Sequence, residues 1–187
     1  MRADTTFAVA AVLLVSVAGL FIAGEACNNV PSMTSDDACI NSCVNTREQE
    51  QWQKLCQETL LNAPKAAELT VYALTAARLA KLKYKDTVAE MDRMLSTGKL
   101  TAVAKAAVDH CKAKYGEAQR LMAGVEEQLF GCTLAQVRQE YVDAQVAVGS
   151  CQDGLWSYSG LPLSEMVSAD VDLTMVSYLL GALIVGK

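Results

Sequence analysis

Seven cysteines and a single histidine most constrain the chemistry open to this chain of 187 residues. The cysteines stand at 27, 39, 43, 56, 111, 132 and 151. Thiols can form disulfides, ligate metals or act as nucleophiles. Cys39 and Cys43 look like half of a zinc site, yet no second ligand pair with suitable spacing follows them. A Ser-His-Asp arrangement would have to use His110, which lies beside Cys111 in a helical stretch, and a structural histidine is the expected role. No Gly-rich phosphate loop is present, since Gly149 and Gly154 are isolated helix glycines. Asp36-Asp37 reads as a helix start and Glu126-Glu127 as a solvated face. Asn41-Ser42-Cys43 is only a rare variant of the glycosylation acceptor. Together these residues point to a binding protein rather than an enzyme, with no metal and no cofactor.

The segment ahead of the cysteines decides their redox state. Phe7 to Ile22 is an almost unbroken apolar run without charge, followed by Ala23-Gly24-Glu25-Ala26 with small residues at the −3 and −1 positions. The pattern is that of a secretory signal peptide over residues 1–26, with Arg2 as its only positive side chain. The alternative is a retained signal anchor, but a spanning helix needs about 20 apolar residues and this run is shorter. All seven cysteines follow the cut, so an extracellular, disulfide-permissive destination is expected. Seven is odd, so at least one cysteine lies outside the intrachain pairs.

The elements that must position these cysteines divide into two segments. Residues 27–62 hold four of them among Asn, Gln, Ser and Thr. Ile40 to Val44 and Gln51 to Leu61 suit short helices, marginal alone in water. A disulfide from Cys43 to Cys56 would hold them as a helical hairpin. From Asn62, a cap with Pro64 in the first turn, longer helices begin. The first stripe runs Leu69, Tyr72, Ala76, Leu79, Lys83, Val88, Met91 and Leu95, and ends at Gly98. The second runs Leu100, Val103, Ala107, Cys111, Tyr115, Ala118, Met122, Val125 and Leu129. The third carries Leu134, Val137, Tyr141, Ala144, Val148, Cys151 and Leu155. Pro162 falls in a loop, and a last helix from Ser168 or Asp170 carries Val171, Met175, Tyr178, Leu179 and Ala182.

Four stripes with short polar loops read as an antiparallel four-helix bundle over residues 63–187. No segment alternates with period two over six residues, so no sheet is expected. Cys111 and Cys151 fall on the seams of neighbouring helices. A disulfide between them is compatible with that placement and would contribute about 4 kcal/mol of loop entropy; two buried thiols are the alternative. The composition agrees with helices. The chain is 52% hydrophobic but only 6% aromatic, so Ala, Val and Leu dominate. A net charge of −5 argues against nucleic acid as a partner.

At this point the residues resemble a family. Ile40-Asn41-Ser42-Cys43 with Thr46, Cys56 and Leu60 is one part of the match. Asp109-His110-Cys111 with Tyr115, Ala118 and Leu121 is the second, and Ser150-Cys151-Gln152-Asp153-Gly154-Leu155 the third. Val176 to Ala182 supplies a leucine-rich end. The chain resembles the plant invertase and pectin methylesterase inhibitors. The resemblance implies an all-α fold, an antiparallel four-helix bundle preceded by a disulfide-linked N-terminal helical hairpin. It also implies a single secreted inhibitor domain over residues 27–187, located in the cell wall or apoplast and away from membranes once the signal is cleaved. It implies disulfides Cys43–Cys56 and Cys111–Cys151. Cys27 and Cys39 are additional and can pair with each other, with Cys132 as the odd cysteine. The interval between Cys43 and Cys56 is longer than the common family pattern.

The implied activity is occlusion of the active-site cleft of a pectin methylesterase or an acid invertase. Such clefts present carboxylates, which amide, guanidinium and hydroxyl groups can bind. Arg138, Gln145 and Gln152, at seven-residue spacing on the third bundle helix, are the candidate contacts, with Ser150 in place of the family's threonine. An ordinary solvated face is the competing reading. Leu134-Ala135-Gln136 stands where several invertase inhibitors carry Pro-Lys-Phe, which tilts the target toward pectin methylesterase. The long hairpin and the Leu-Leu-Gly-Ala ending point toward invertase instead, and the balance is a slight preference for pectin methylesterase. The alternative function is a secreted helical signalling or small-ligand-binding module without inhibitory activity.

Overall fold

A computed structural model describes residues 27–158 and 162–186. The expected signal peptide, 1–26, lies outside the described residues. Among the described residues a short strand, β1 (Ser32–Thr34), comes first, followed by two helices, α1 (Ser35–Cys43) and α2 (Gln49–Thr59). A second strand, β2 (Ala66–Glu68), leads into four long helices. These are α3 (Leu69–Ser96), α4 (Ala102–Phe130), α5 (Val137–Leu155) and α6 (Pro162–Val185), with a 3-10 turn, Trp156–Tyr158, closing α5. The fold is all-α: an antiparallel four-helix bundle with a disulfide-held helical hairpin at its N-terminal side.

The helix boundaries follow local chemistry. Thr34 caps α1 by accepting from the Asp37 amide at 3.0 Å, and acidic Asp36 and Asp37 sit where the helix dipole favours them. Thr101 caps α4 in the same way through Ala104. Gly98, at φ +65°, follows the end of α3 in the left-handed conformation that ends helices. Two expected starts are wrong. The first bundle helix begins at Leu69 rather than near Asn62, because residues 66–68 pair antiparallel with β1, Met33 opposite Ala67. Three-residue strands are too short to leave an alternating signature. The last helix begins at Pro162, which suits a first-turn position, not at Ser168 or Asp170.

The bundle helices pack in a ring, α3 against α4, α4 against α5, α5 against α6 and α6 back against α3. The α1–α2 hairpin lies on α6 and α3. The seams of α4 from Cys111 and of α5 from Val137 are buried at the expected positions. In α3 the seam runs instead through Ala76, Ala80, Tyr84, Thr87, Met91 and Met94, leaving Lys83 exposed. At the start of α4, Ala104 and Val108 are buried and Val103 faces out. Tyr72, Tyr84, Tyr115 and Tyr141 are the largest fully buried side chains, set against alanine-rich seams. Gly181 in α6 admits the Tyr141 ring: an added Cβ would stand 2.3 Å from Tyr141 Cε2.

One polar knot crosses this core. The buried Asp170 carboxylate accepts from Thr87 Oγ1 at 2.6 Å and from the Tyr115 hydroxyl at 2.8 Å. Thr174 joins it by donating to the Asp170 backbone carbonyl and brings in the Tyr84 hydroxyl, and the Tyr84 and Tyr115 rings meet edge to face with centroids 5.5 Å apart. Burial pushes the Asp170 carboxyl above its ordinary value despite the hydrogen bonds from Thr87 and Tyr115 that oppose it. α6 is long and apolar enough to cross a membrane, yet 56% of its apolar window is buried within the bundle, as befits a core helix.

Three disulfides tie the elements together. Cys111–Cys151 joins α4 to α5 with Cα atoms 4.5 Å apart. Within the hairpin, Cys39 rather than Cys43 bonds Cys56, correcting the expected Cys43–Cys56 pair. The reason is the position of the turn. It spans residues 44–48, so Cys43, the last residue of α1, faces the start of α2, while Cys56 lies about two turns further on. Cys39, about one turn back along α1, is the position that reaches it. Cys43 is buried on the same face, its Sγ 3.6 Å from Ser42 Oγ. Cys27 does not pair with Cys39 but with Cys132, in the loop before α5. This bond ties the chain ahead of β1 to the α4–α5 end of the bundle.

Candidate functional site

α5 carries all four candidate contact residues, and it is fixed on both flanks. Toward α4, the Cys111–Cys151 bond is flanked by a hydrogen bond between His110 Nε2 and Ser150 Oγ at 3.2 Å. Gly154, one turn on, passes close to the His110 ring. At the other end of α5, Gln128 of α4 donates to Glu140 at 2.7 Å and accepts from the Gln136 amide at 3.0 Å. Gly124 leaves the space that the Glu140 carboxylate occupies. Burial raises the Glu140 carboxyl above its ordinary value, with the Gln128 hydrogen bond opposing. Toward α6, Gln145 Nε2 lies 3.6 Å from Met175 Sδ and Gln152 Nε2 donates to Ser168 Oγ at 3.2 Å.

These contacts split the candidate residues. Gln145 and Gln152 share the α6-facing edge of α5, as their spacing implies. Arg138 is exposed in the first turn. Ser150 lies on the opposite, α4-facing edge, held by His110. Exposed Val146 and Asp153 belong to the same helix. The four residues are therefore distributed over two edges of one helix rather than gathered at a point. His110 is the partner that the sequence did not reveal for Ser150, because the two are 40 residues apart.

Gln152 also lines a concavity. A cleft of about 310 Å³ opens where the end of α5 meets the start of α6. Leu155 and Val167 form its buried floor, and Gln152, Asp153, Ser164 and Ser168 line its wall. Trp156 stands at the rim, 83% exposed. Its position is set by the 3-10 turn, which Ser164 braces by donating to the Tyr158 carbonyl at 3.0 Å.

The architecture, a four-helix bundle with a disulfide-held helical hairpin, can be set beside proteins of known structure. No protein-family model matches the sequence, and no curated protein matches it. Solved structures do. A mutant form of a pectin methylesterase inhibitor from Arabidopsis superposes with a TM-score of 0.68 at 13% identity, over 81% of this chain and 98% of that one. A pectin methylesterase inhibitor from Arabidopsis thaliana superposes with a TM-score of 0.59 at 14% identity, over 78% of this chain and 95% of that one. The fold of this chain is that of the pectin methylesterase inhibitors. Those neighbours are enzyme inhibitors, not enzymes.

Proposed function

We propose that this chain is a secreted protein inhibitor of the plant cell wall that occludes the active-site cleft of a pectin methylesterase or an acid invertase with the outward face of α5. The observation that carries the reading is the superposition of nearly the whole length of a pectin methylesterase inhibitor on this chain. The same neighbours favour pectin methylesterase as the target. In this reading residues 1–26 are removed, 27–62 form the hairpin segment and 63–187 the bundle.

The physics of the face supports the proposal. Arg138, Gln145, Ser150 and Gln152 offer guanidinium, amide and hydroxyl donors to carboxylates in an enzyme cleft. The Cys111–Cys151 bond and the Gln128 bridge keep α5 rigid before binding, so little ordering entropy remains to be lost on association. The partner is a protein, with no role for nucleic acid or membrane. The test mixes the oxidised chain from residue 27 onward at equal molarity with each enzyme, between about pH 5 and 6. Loss of methanol release from pectin, or of sucrose hydrolysis, supports the proposal and names the target. Unchanged rates in both assays would refute it.

A further inference from the structure

The cleft at the α5–α6 junction has a composition that inhibition of an enzyme does not by itself require. Its volume of about 310 Å³ stands at the lower end of small-ligand sites, which span roughly 300–1,000 Å³. The lining combines a flat indole at the rim, an apolar floor of Leu155 and Val167, and a wall of one amide, one carboxylate and two hydroxyls. We infer that this cleft binds an uncharged pyranose chain, with Trp156 as its stacking platform.

Each part of the cleft matches one feature of such a ligand. A pyranose ring has an apolar C–H face that an indole can cover, and Trp156 is exposed beside the cleft. The hydroxyls of the sugar need partners that both donate and accept. Ser168 Oγ accepts from Gln152 Nε2 at 3.2 Å and can pass its own proton to a ligand, and Gln152 supplies a carbonyl as well. Asp153 is exposed and accepts only. The lining residues include one carboxylate and no cation, and Glu165 lies in the first turn of α6 beside it. A free uronate carboxylate would meet like charge there without a compensating Lys or Arg. A methyl-esterified uronate is neutral and escapes that repulsion. The cleft therefore discriminates for esterified over de-esterified chains.

This inference goes beyond the inhibitor reading and rests on it only for the choice of uronate probes; its binding test contains no enzyme, so the two can fail separately. Isothermal titration of the oxidised chain uses a short methyl-esterified oligogalacturonide and its de-esterified counterpart, with indole fluorescence read in parallel. Saturable binding of the esterified chain is expected, with affinity lowered about tenfold, or roughly 1.4 kcal/mol, in Trp156→Ala. The de-esterified chain is expected to bind more weakly by a similar factor at low salt, the gap narrowing as salt screens the repulsion. Because Trp156 is exposed, its variant keeps the wild-type melting temperature, which separates loss of the platform from loss of the fold. Absence of saturable binding, binding indifferent to Trp156→Ala, or equal affinity for the two chains would each overturn the inference.

Discussion

Gly181→Ala places a methyl group where the packing of α5 on α6 leaves none. Two effects compete. Alanine is a better helix former than glycine by about 1 kcal/mol, so the change would stabilise an exposed helix. Here the new Cβ would stand 2.3 Å from Tyr141 Cε2, far inside the 3.5–4.0 Å at which carbon atoms pack. Tyr141 is fully buried, so its ring has no solvent to move into. Overpacking of this kind costs about 1–3 kcal/mol, and a contact this short belongs at the upper end. The net loss is about 2 kcal/mol, which lowers Tm by roughly 4–8 °C in a chain of this length. Gly116 and Gly149 are internal controls, because a Cβ at either meets nothing within 4 Å. Alanine there is expected to raise Tm by roughly 1–4 °C. Thermal melts of the three single variants, followed by far-ultraviolet circular dichroism, give the comparison. A Gly181→Ala protein as stable as the Gly149→Ala protein would refute the packing described for Tyr141.

Asp170→Asn tests the buried knot through pH. Because burial raises this carboxyl above its ordinary value of 3.8, the folded state keeps the proton longer than the unfolded chain. Its contribution to stability is complete below that value and is lost as pH rises through the folded value, so the Asn variant should show a shallower fall in urea midpoint from about pH 4 upward. Asp172 and Glu140 shift in the same direction and remain in both proteins, so only the difference between the two curves is informative. Replacing Cys27 and Cys132 together by Ser removes a link across 105 residues and should cost about 2–5 kcal/mol in a denaturant titration. Non-reducing peptide mapping should recover Cys39 joined to Cys56; a Cys43–Cys56 peptide would contradict the hairpin register.

The sequence made the bundle visible because its apolar spacing is regular where α4 meets α5: Cys111 to Leu129 and Val137 to Leu155 are buried at the positions their period marks. It misled in α3 and α6, where core positions are polar or small. Thr87, Asp170, Thr174 and Ser177 are buried, and a search for apolar stripes passes over them in favour of neighbours such as Lys83 and Val171. Thr87, Asp170 and Thr174 share hydrogen bonds between helices, which no local pattern carries, and Ser177 donates to the Leu173 carbonyl one turn back. The hairpin disulfide turned on where five linking residues fall, since Cys39 and Cys43 share one face of α1 and periodicity does not separate them. The Cys27–Cys132 bond had no local signature at all. At the candidate site, the heptad spacing of Gln145 and Gln152 was legible, but Ser150 facing His110 and Trp156 beside Ser164 arise from helix–helix packing.

The most direct measurement is a titration of a pectin methylesterase with the oxidised chain from residue 27 onward, following methanol release against molar ratio. A saturable fall in rate is expected, weakened when Arg138, Gln145 and Gln152 are replaced together by Glu and unchanged when the α3 surface residue Lys85 is so replaced. Its contradiction would be an unchanged rate at a several-fold molar excess, together with undiminished sucrose hydrolysis by an acid invertase under the same conditions.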